Sequence, residues 1–532
     1  MVKHLHFLTL VSMLVVAAHA QPRSKLAPTP PGQDAKPPNI VFILADDQGV
    51  GDLSHTGGLA PTPHIDRMAE EGLRFTDAHS TSSVCTPTRY SILTGRYNWR
   101  STLKKGVLWG GSPPLIPTER LSVASMLKKQ GYRTGIIGKW HLGLGWQKLP
   151  DGETRKAETG ATNGTGWDFD YSKRVEGGPL ALGFDNSFII PASLDMFPYI
   201  YLRDDVPTEI PTVSKKWLRS GPAGKNFEAV DCLGDFARES RNFIAGHVKE
   251  NKDQPFFLYL PLTSPHTPIV PSKKWQGKSV IGSYGDFIME TDWVVGEVLA
   301  ELDKQRIAKN TLVIFTTDNG CSPAAKIPDL IKKGHAPNGP LRGHKADIFE
   351  GGHRVPFILR WPAKVKAEQQ CHQTISSVDL MATVAELSGA EIPENAAEDS
   401  YSFVPLLEEP NLEEPIRPYT IHHSIGGAFA IRQGDWKLVL CPGSGGWSAP
   451  KPKQALNDKS LLPVQLYNLR QDLSEATNLV AEHSDRAQAM AELLAKAIKD
   501  GRSTPGEPQS NEGWPDTIPE RVLEAYPVLR EN

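Results

Sequence analysis

The chain of 532 residues is longer than one hydrophobic core usually supports, so two folded domains are expected. Its balance of 39% hydrophobic and 22% charged residues is that of an ordinary globular protein and excludes a fibrous or low-complexity chain. A formal net charge of −3 excludes a basic nucleic-acid surface and a polybasic membrane anchor, so any anion site has to be assembled locally.

Residues 1–20 read as an export signal, with Lys3 as the positive start, Leu5 to Ala17 as the apolar stretch and Ala18-His19-Ala20 as a small-residue cleavage site. That run is short for a bilayer span and no later segment resembles one, so a secreted or periplasmic protein is expected, lysosomal being open if the source is eukaryotic. Residues 21–38, rich in Pro, Lys and Gln, read as a disordered lead-in. From 39 to 410, buried-strand patterns at Ile40 to Ala45, Thr134 to Ile137, Pro255 to Leu260 and Leu312 to Phe315 alternate with helical spacing at Ile65 to Leu73, Leu121 to Lys129, Phe227 to Val248 and Tyr284 to Leu302. This predicts an α/β domain whose mostly parallel, doubly wound sheet is flanked by helices. Residues 411–532 predict a smaller domain: Ala428 to Ile431 and Trp436 to Leu440 form an antiparallel hairpin, and Asp485 to Lys499 an amphipathic helix. Asn163-Gly164-Thr165 is a glycosylation sequon, meaningful in a eukaryotic source. Among the five cysteines, using Cys85 chemically leaves Cys232, Cys321, Cys371 and Cys441 for up to two disulfides of open connectivity.

The first strand ends in Asp46-Asp47 and the Leu312 strand runs into Asp318-Asn319-Gly320. Ligands of open α/β sheets bind at the carboxyl ends of the strands, which brings both pairs to one rim. Asp-Asn-Gly alone is a common turn, but two such pairs after two buried strands offer four hard oxygen donors, suited to Ca²⁺ or Mg²⁺. Around Cys85, Pro87 fits the first position of a helix with Thr86 as its cap; Cys85 then sits at the helix mouth and Arg89 about one turn above it. A helix N-terminus favours an anion, whereas a lone cysteine is more often an inert buried thiol. Lys139 and His141, two apart in an extended segment, point to one side; taken singly they read as a solvated strand end and a loop histidine. Pro265 and Pro268 restrict the poses of His266.

Cys85-Thr86-Pro87-Thr88-Arg89 followed by Leu93-Thr94-Gly95-Arg96 resembles the signature of the type I sulfatases, the formylglycine-dependent, arylsulfatase-like members of the alkaline phosphatase superfamily. Gly131 to Gly143 resembles their second signature, Glu350 to Pro356 a further block, and Leu466-Tyr467-Asn468-Leu469 with Asn478-Leu479 a pattern of their C-terminal halves. The resemblance implies that a formylglycine-generating enzyme oxidises Cys85 to formylglycine, and that Ca²⁺ is held by Asp46, Asp47, Asp318, Asn319 and the modified Cys85. It further implies Arg89, Lys139 and Lys345 on the sulfate, His141 on a hydroxyl of the formylglycine hydrate, and His266 at the ester oxygen; Glu350 and Arg354 read as structural. Thr88 stands where serine is common and retains the hydroxyl. The expected activity is hydrolysis of sulfate monoesters on sulfated saccharides and aryl sulfates, with Trp140, Trp146, Trp167, Phe197 and Tyr199 as candidates to flank a sugar ring. Two alternatives stay open: a phosphate or phosphonate hydrolase of the same superfamily, and a non-catalytic sulfated-glycan binder.

Overall fold

The continuous apolar runs become the centre of a ten-stranded sheet in this computed structural model, which describes residues 36–162 and 165–531. The expected export signal, residues 21–35 of the lead-in and Asn163-Gly164 of the sequon lie outside the described residues. Asn39–Asp46 lies between Phe256–Pro265 and Thr311–Thr317, parallel to both. Arg133–Lys139 adds in parallel beyond Phe256–Pro265, and Asn186–Ile190 in parallel beyond that. The margins are mixed: Phe357–Arg360 runs antiparallel to Thr311–Thr317 and Leu73–Phe75 antiparallel to it in turn, while two short antiparallel strands close the other edge.

Leu73 is thus a strand residue, where the apolar spacing predicts the end of a helix. The helix is Pro63–Glu70, and at Gly72 the chain passes so close to the neighbouring strand that an added Cβ would sit 2.0 Å from the Leu359 carbonyl oxygen. Only glycine permits that approach, and the helix stops before it.

Strand alternation sends Ile40, Phe42 and Leu44 to one side of the sheet and Val41, Ile43 and Ala45 to the other. The first side is covered by helices that include Cys85–Thr94, Val123–Lys129 and Leu380–Ser388; the second by Cys232–Asn251 and Ser283–Lys304. Both faces are buried, as a parallel sheet requires.

Toward the C-terminus, Thr420–His423, Phe429–Gln433, Trp436–Val439 and Gln465–Asn468 make a four-stranded antiparallel sheet. The Ser484–Lys499 helix buries Ala487, Met490, Leu494 and Ile498 against it. Tyr97 and Trp99, from just beyond the Cys85 helix, belong to this same core. The Ser82 hydroxyl donates to the His423 carbonyl at 2.9 Å across 341 residues of sequence. All five cysteines are buried and free of disulfides. No helix of the described residues is long and apolar enough to cross a membrane.

Candidate active site

Four adjacent parallel strands deliver the expected groups to one rim. Thr311–Thr317 runs into Asp318-Asn319, Asn39–Asp46 into Asp47, Phe256–Pro265 into His266, and Arg133–Lys139 into His141. Asp47 and His141 lie just past their strand ends in left-handed conformations, at φ 66° and 59°. Non-glycine residues adopt this region rarely, and here it turns two side chains back over the rim. Lys139 and His141 therefore meet through a backbone turn rather than through the strand alternation expected of them.

The helix opposite begins at Cys85 itself, with Val84 as its N-cap. This corrects the expected start at Pro87 capped by Thr86: Pro87 still falls in the first turn, where no N–H is needed, so the helix extends two residues further back. Thr86 Oγ1 instead accepts from the Leu108 N–H at 3.2 Å, and Thr88 Oγ1 donates to the Ser82 carbonyl at 3.0 Å, tying down the loop before the helix. Every residue of the Cys85–Thr94 helix is buried, and Cys85 is 2% exposed. Lys345 comes from a loop whose backbone N–H at that residue donates to the Cys321 carbonyl at 2.9 Å.

Three carboxylates and three cations interlock. Lys139 Nζ donates to Asp46 Oδ2 at 2.6 Å. Lys345 Nζ lies 2.6 Å from Asp47 Oδ1 and 3.7 Å from the Cys85 sulfur. Arg89 donates to Asp318 Oδ2 from Nε at 3.0 Å and Nη2 at 2.7 Å, and from Nη1 to the Lys139 carbonyl at 3.1 Å. All of these groups are buried, so mutual pairing has to offset their desolvation. Burial opposes ionisation of Asp46, yet Lys139, His266 and Arg89 together hold its carboxyl far below the usual range. Burial likewise opposes the Lys345 charge, and Asp47 overrides it to raise the ammonium well above its ordinary range. Arg89 thus directs one N–H from each of its three nitrogens to Asp318 or a main-chain carbonyl, and two N–H groups remain.

The site fits a hard divalent cation. Asp46 Oδ1 and Asn319 Oδ1 are buried oxygens without a hydrogen-bond partner, and such acceptors are costly unless a cation or donor meets them. Donor atoms of Asp46, Asp47, Cys85 and His266 all lie within 4.8 Å of one another. With Asp318 these residues make an oxygen-rich set of the kind Ca²⁺ or Mg²⁺ prefers.

The two histidines are poised differently. His141 Nε2 lies 2.8 Å from the Leu108 carbonyl, so it carries the proton, and Nδ1 is left as a bare buried acceptor. Burial, reinforced by Lys139, holds this imidazole neutral, well below its usual range. His266 Nδ1 faces the Thr267 carbonyl and the Ser193 hydroxyl, and Nε2 lies 3.7 Å from Asp47 Oδ2. Burial and Lys345 oppose its charge, but Asp47 and Asp46 prevail and raise it to about 9. The surrounding charges thus push the two histidines in opposite directions.

Ser193, which sequence reasoning missed, joins the site from the loop after Asn186–Ile190, and no local motif announces it. Trp140, Trp167 and Tyr199 are buried packing residues, whereas Trp146 and Phe197 line a cavity together with Trp109, also missed. Glu350 and Arg354 are structural as expected: Glu350 Oε1 lies 3.0 Å from buried Lys437 Nζ, and Arg354 donates to the Thr76 carbonyl at 2.7 Å.

Comparisons with known proteins agree with this geometry. The Sulfatase family model matches residues 38–390, and a model for the C-terminal part of N-sulphoglucosamine sulphohydrolase matches residues 344–443. The chain is 34% identical over 514 residues to an N-acetylgalactosamine-6-O-sulfatase of Bacteroides thetaiotaomicron, covering 87% of this chain and 93% of that protein. It is 32% identical over 503 residues to human arylsulfatase A, covering 90% and 91% of the two chains. A solved structure described under metabolism of multiple glycosaminoglycans by the same bacterium superposes with a TM-score of 0.75 at 32% identity, over 87% of this chain and 99% of that one. Matched along most of its length by family model, sequence relatives and fold alike, the chain belongs to the sulfatase family.

Proposed function

We propose that this protein is an exported hydrolase of sulfate monoesters on saccharides, able also to cleave aryl sulfates, and that Cys85 acts after oxidation to formylglycine. The observation that carries the reading is the meeting of Cys85 with Lys345, two orphaned buried oxygens and two oppositely poised histidines in one buried rim. The N-acetylgalactosamine-6-O-sulfatase relative supports a sugar ester as the substrate.

In the oxidised form Cys85 supplies a geminal diol, one hydroxyl to attack sulfur and the other to expel the sulfate afterwards. Ca²⁺ held by Asp46, Asp47, Asp318 and Asn319 would add positive charge at the sulfate oxygens. Before any ion binds, Asp46, Asp47 and Asp318 already match Lys139, Lys345 and Arg89 one for one. With the proton on His266 the cluster already carries a surplus of positive charge, and a dication would add to it, which attracts an anionic ester. Lys139 and Lys345, held on Asp46 and Asp47, orient the sulfate oxygens. His266 donates its Nε2 proton to the departing sugar oxygen, with Nδ1 anchored on Thr267 and Ser193. His141 Nδ1 accepts the proton from the second hydroxyl when the sulfate is expelled.

The test is mass spectrometry of the tryptic peptide containing residue 85 from protein produced with a formylglycine-generating enzyme, paired with release of sulfate and of phosphate from matched esters. An aldehyde and faster sulfate release are expected; an intact thiol in active protein, or faster phosphate release, would defeat the assignment.

A further inference from the structure

A cavity of about 420 Å³ opens beside the centre, lined among others by Trp109, Gly110, Trp146, Lys148, Phe169 and Phe197. That volume is within the range of small-ligand sites. It is tied to the chemistry from two sides. Leu108, next to Trp109, gives its N–H to Thr86 and its carbonyl to His141. On the other side the loop that brings Ser193 to His266 continues to Asp195, whose carboxylate is ion-paired with Arg219.

The walls are rigid and aromatic. Trp146 stacks on Phe169 with centroids 5.4 Å apart and donates from Nε1 to the Gly110 carbonyl at 2.8 Å. The Arg219 guanidinium lies 4.8 Å over one face of the Trp109 ring, while Trp109 is 52% exposed. A solvent-facing indole backed by a fixed guanidinium offers a flat surface to the C–H face of a sugar, with N–H donors at its margin for hydroxyls.

The charge here differs from that of the sulfate cradle. Each of the two cations at this cavity already has its own carboxylate, Arg219 with Asp195 and Lys148 with Asp168. A second sulfate or a uronic carboxylate would meet no unmatched positive charge there and would have to compete with Asp195 and Asp168 for the two cations. Resting on the sulfatase reading above, we propose that this cavity is the leaving-group subsite and takes an uncharged hexopyranose ring, so that the preferred ester is one whose scissile sulfate is the only charge on the sugar.

The experiment compares kcat/KM for N-acetylgalactosamine 6-sulfate and its 4,6-disulfate in the wild-type enzyme, Trp109→Ala, Trp109→Phe and Asp195→Asn. The wild type should prefer the monosulfate. Trp109→Ala should lose about tenfold on it, mainly through KM, with Trp109→Phe retaining most of the activity. Asp195→Asn leaves Arg219 unmatched and should raise the ratio of disulfate to monosulfate turnover about fivefold, a ratio in which any shared damage to His266 cancels. A wild-type preference for the disulfate, an unchanged KM in Trp109→Ala, or an unmoved ratio in Asp195→Asn would overturn the proposal. Titration with free N-acetylgalactosamine reads the subsite without turnover: quenching of tryptophan fluorescence that disappears in Trp109→Ala supports it, and quenching that persists there refutes it. A wild type that binds the sugar yet cleaves neither ester would defeat the sulfatase reading and leave the subsite standing.

Discussion

Among the described residues two buried regions gather ligand-type side chains within 4.8 Å: the rim around Cys85, and a second region where His79, His353 and His422 form one such group and Asp77, His79 and Glu350 an overlapping one. They differ in what is left unsatisfied. At the rim, Asp46 Oδ1, Asn319 Oδ1 and His141 Nδ1 have no partner. In the second cluster the polar atoms close on themselves. Lys437 Nζ lies 3.0 Å from His353 Nε2, His353 Nδ1 is 3.1 Å from His79 Nδ1, and His79 Nε2 is 2.9 Å from Asp77 Oδ1. One assignment of protons satisfies the chain: Lys437 donates to His353, His353 to His79, and His79 to Asp77. Burial keeps all three imidazoles neutral. A cation placed there would lie against Lys437 and Arg432, the latter with Nη1 3.0 Å from His79 Nε2. Proximity of ligand types is thus a weak sign of a metal; an unanswered acceptor is a stronger one.

The sharpest way to break this contrast is Cys85→Ala, which should cost activity at least about 10³-fold while leaving the denaturation midpoint unchanged. Activity retained near the parent rate would place the chemistry elsewhere. Next, His266→Ala should lose on the order of 10²–10⁴-fold on sugar sulfates and much less on a nitrophenyl sulfate, whose leaving group needs no proton. An equal loss across a series of leaving groups would reduce His266 to a binding residue.

The second cluster should answer in stability rather than chemistry. Lys437→Met leaves Glu475, 2.9 Å from the lost ammonium, buried without its cation, and Glu350, 3.0 Å from it, with only the more distant Arg354 and Arg432. Urea unfolding should show a loss of about 3–5 kcal/mol. A stability like the parent's would mean that the network closes without its lysine.

Removing divalent metal with a chelator should lower stability by about 2–3 kcal/mol if calcium had been present at about a hundred times its dissociation constant, together with activity. Asp46→Asn should abolish the calcium response and His353→Gln leave it intact. Stoichiometric zinc that disappears in His353→Gln would reverse the roles given to the two clusters.

The smallest effect concerns a carboxyl that belongs to neither cluster. Asp292 accepts from the His64 and Ile65 N–H groups at 3.0 and 2.8 Å, and burial outweighs these bonds to raise it from 3.8 to about 7. The folded state then binds a proton that the unfolded state has released. Its stabilisation is complete below about pH 4 and is lost as pH rises through 7. Asp292→Asn should flatten that part of the stability curve and raise stability at neutral pH relative to the parent. A curve parallel to the parent's would show that Asp292 is ionised throughout.

Much of the site was legible because parallel strands converge. Once Asp46-Asp47 and Asp318-Asn319 are read as strand ends, neighbouring order in the sheet places them, His266 and Lys139 side by side. What could not be read depends on backbone turns and on distant loops. The left-handed φ of Asp47 and His141 carries no local signature, since neither is glycine. Leu73 follows the helical spacing of its neighbours, and its strand was decided by the close passage at Gly72. Trp109, Ser193, Asp195 and Arg219 are brought together from separate segments by tertiary packing alone. The second cluster also spans far-apart segments, and its lysine, Lys437, lies in a strand whose alternation marks it only as a polar position.

The bond from Ser82 to His423 would set a clock on the proposed oxidation of Cys85. The folded helix hides Cys85, yet the strand that receives the loop before it is 341 residues away along the chain. At about 5–20 residues per second, synthesis needs roughly 20–70 seconds to produce that strand after the cysteine has been made. On the oxidation of Cys85 proposed above, an enzyme that has to reach the thiol would find it accessible within that interval, on a chain whose own C-terminal sheet does not yet exist. A variant that slows closure of the C-terminal sheet should therefore be more completely oxidised at residue 85, while one that speeds it should trap more unmodified thiol in otherwise well-folded protein.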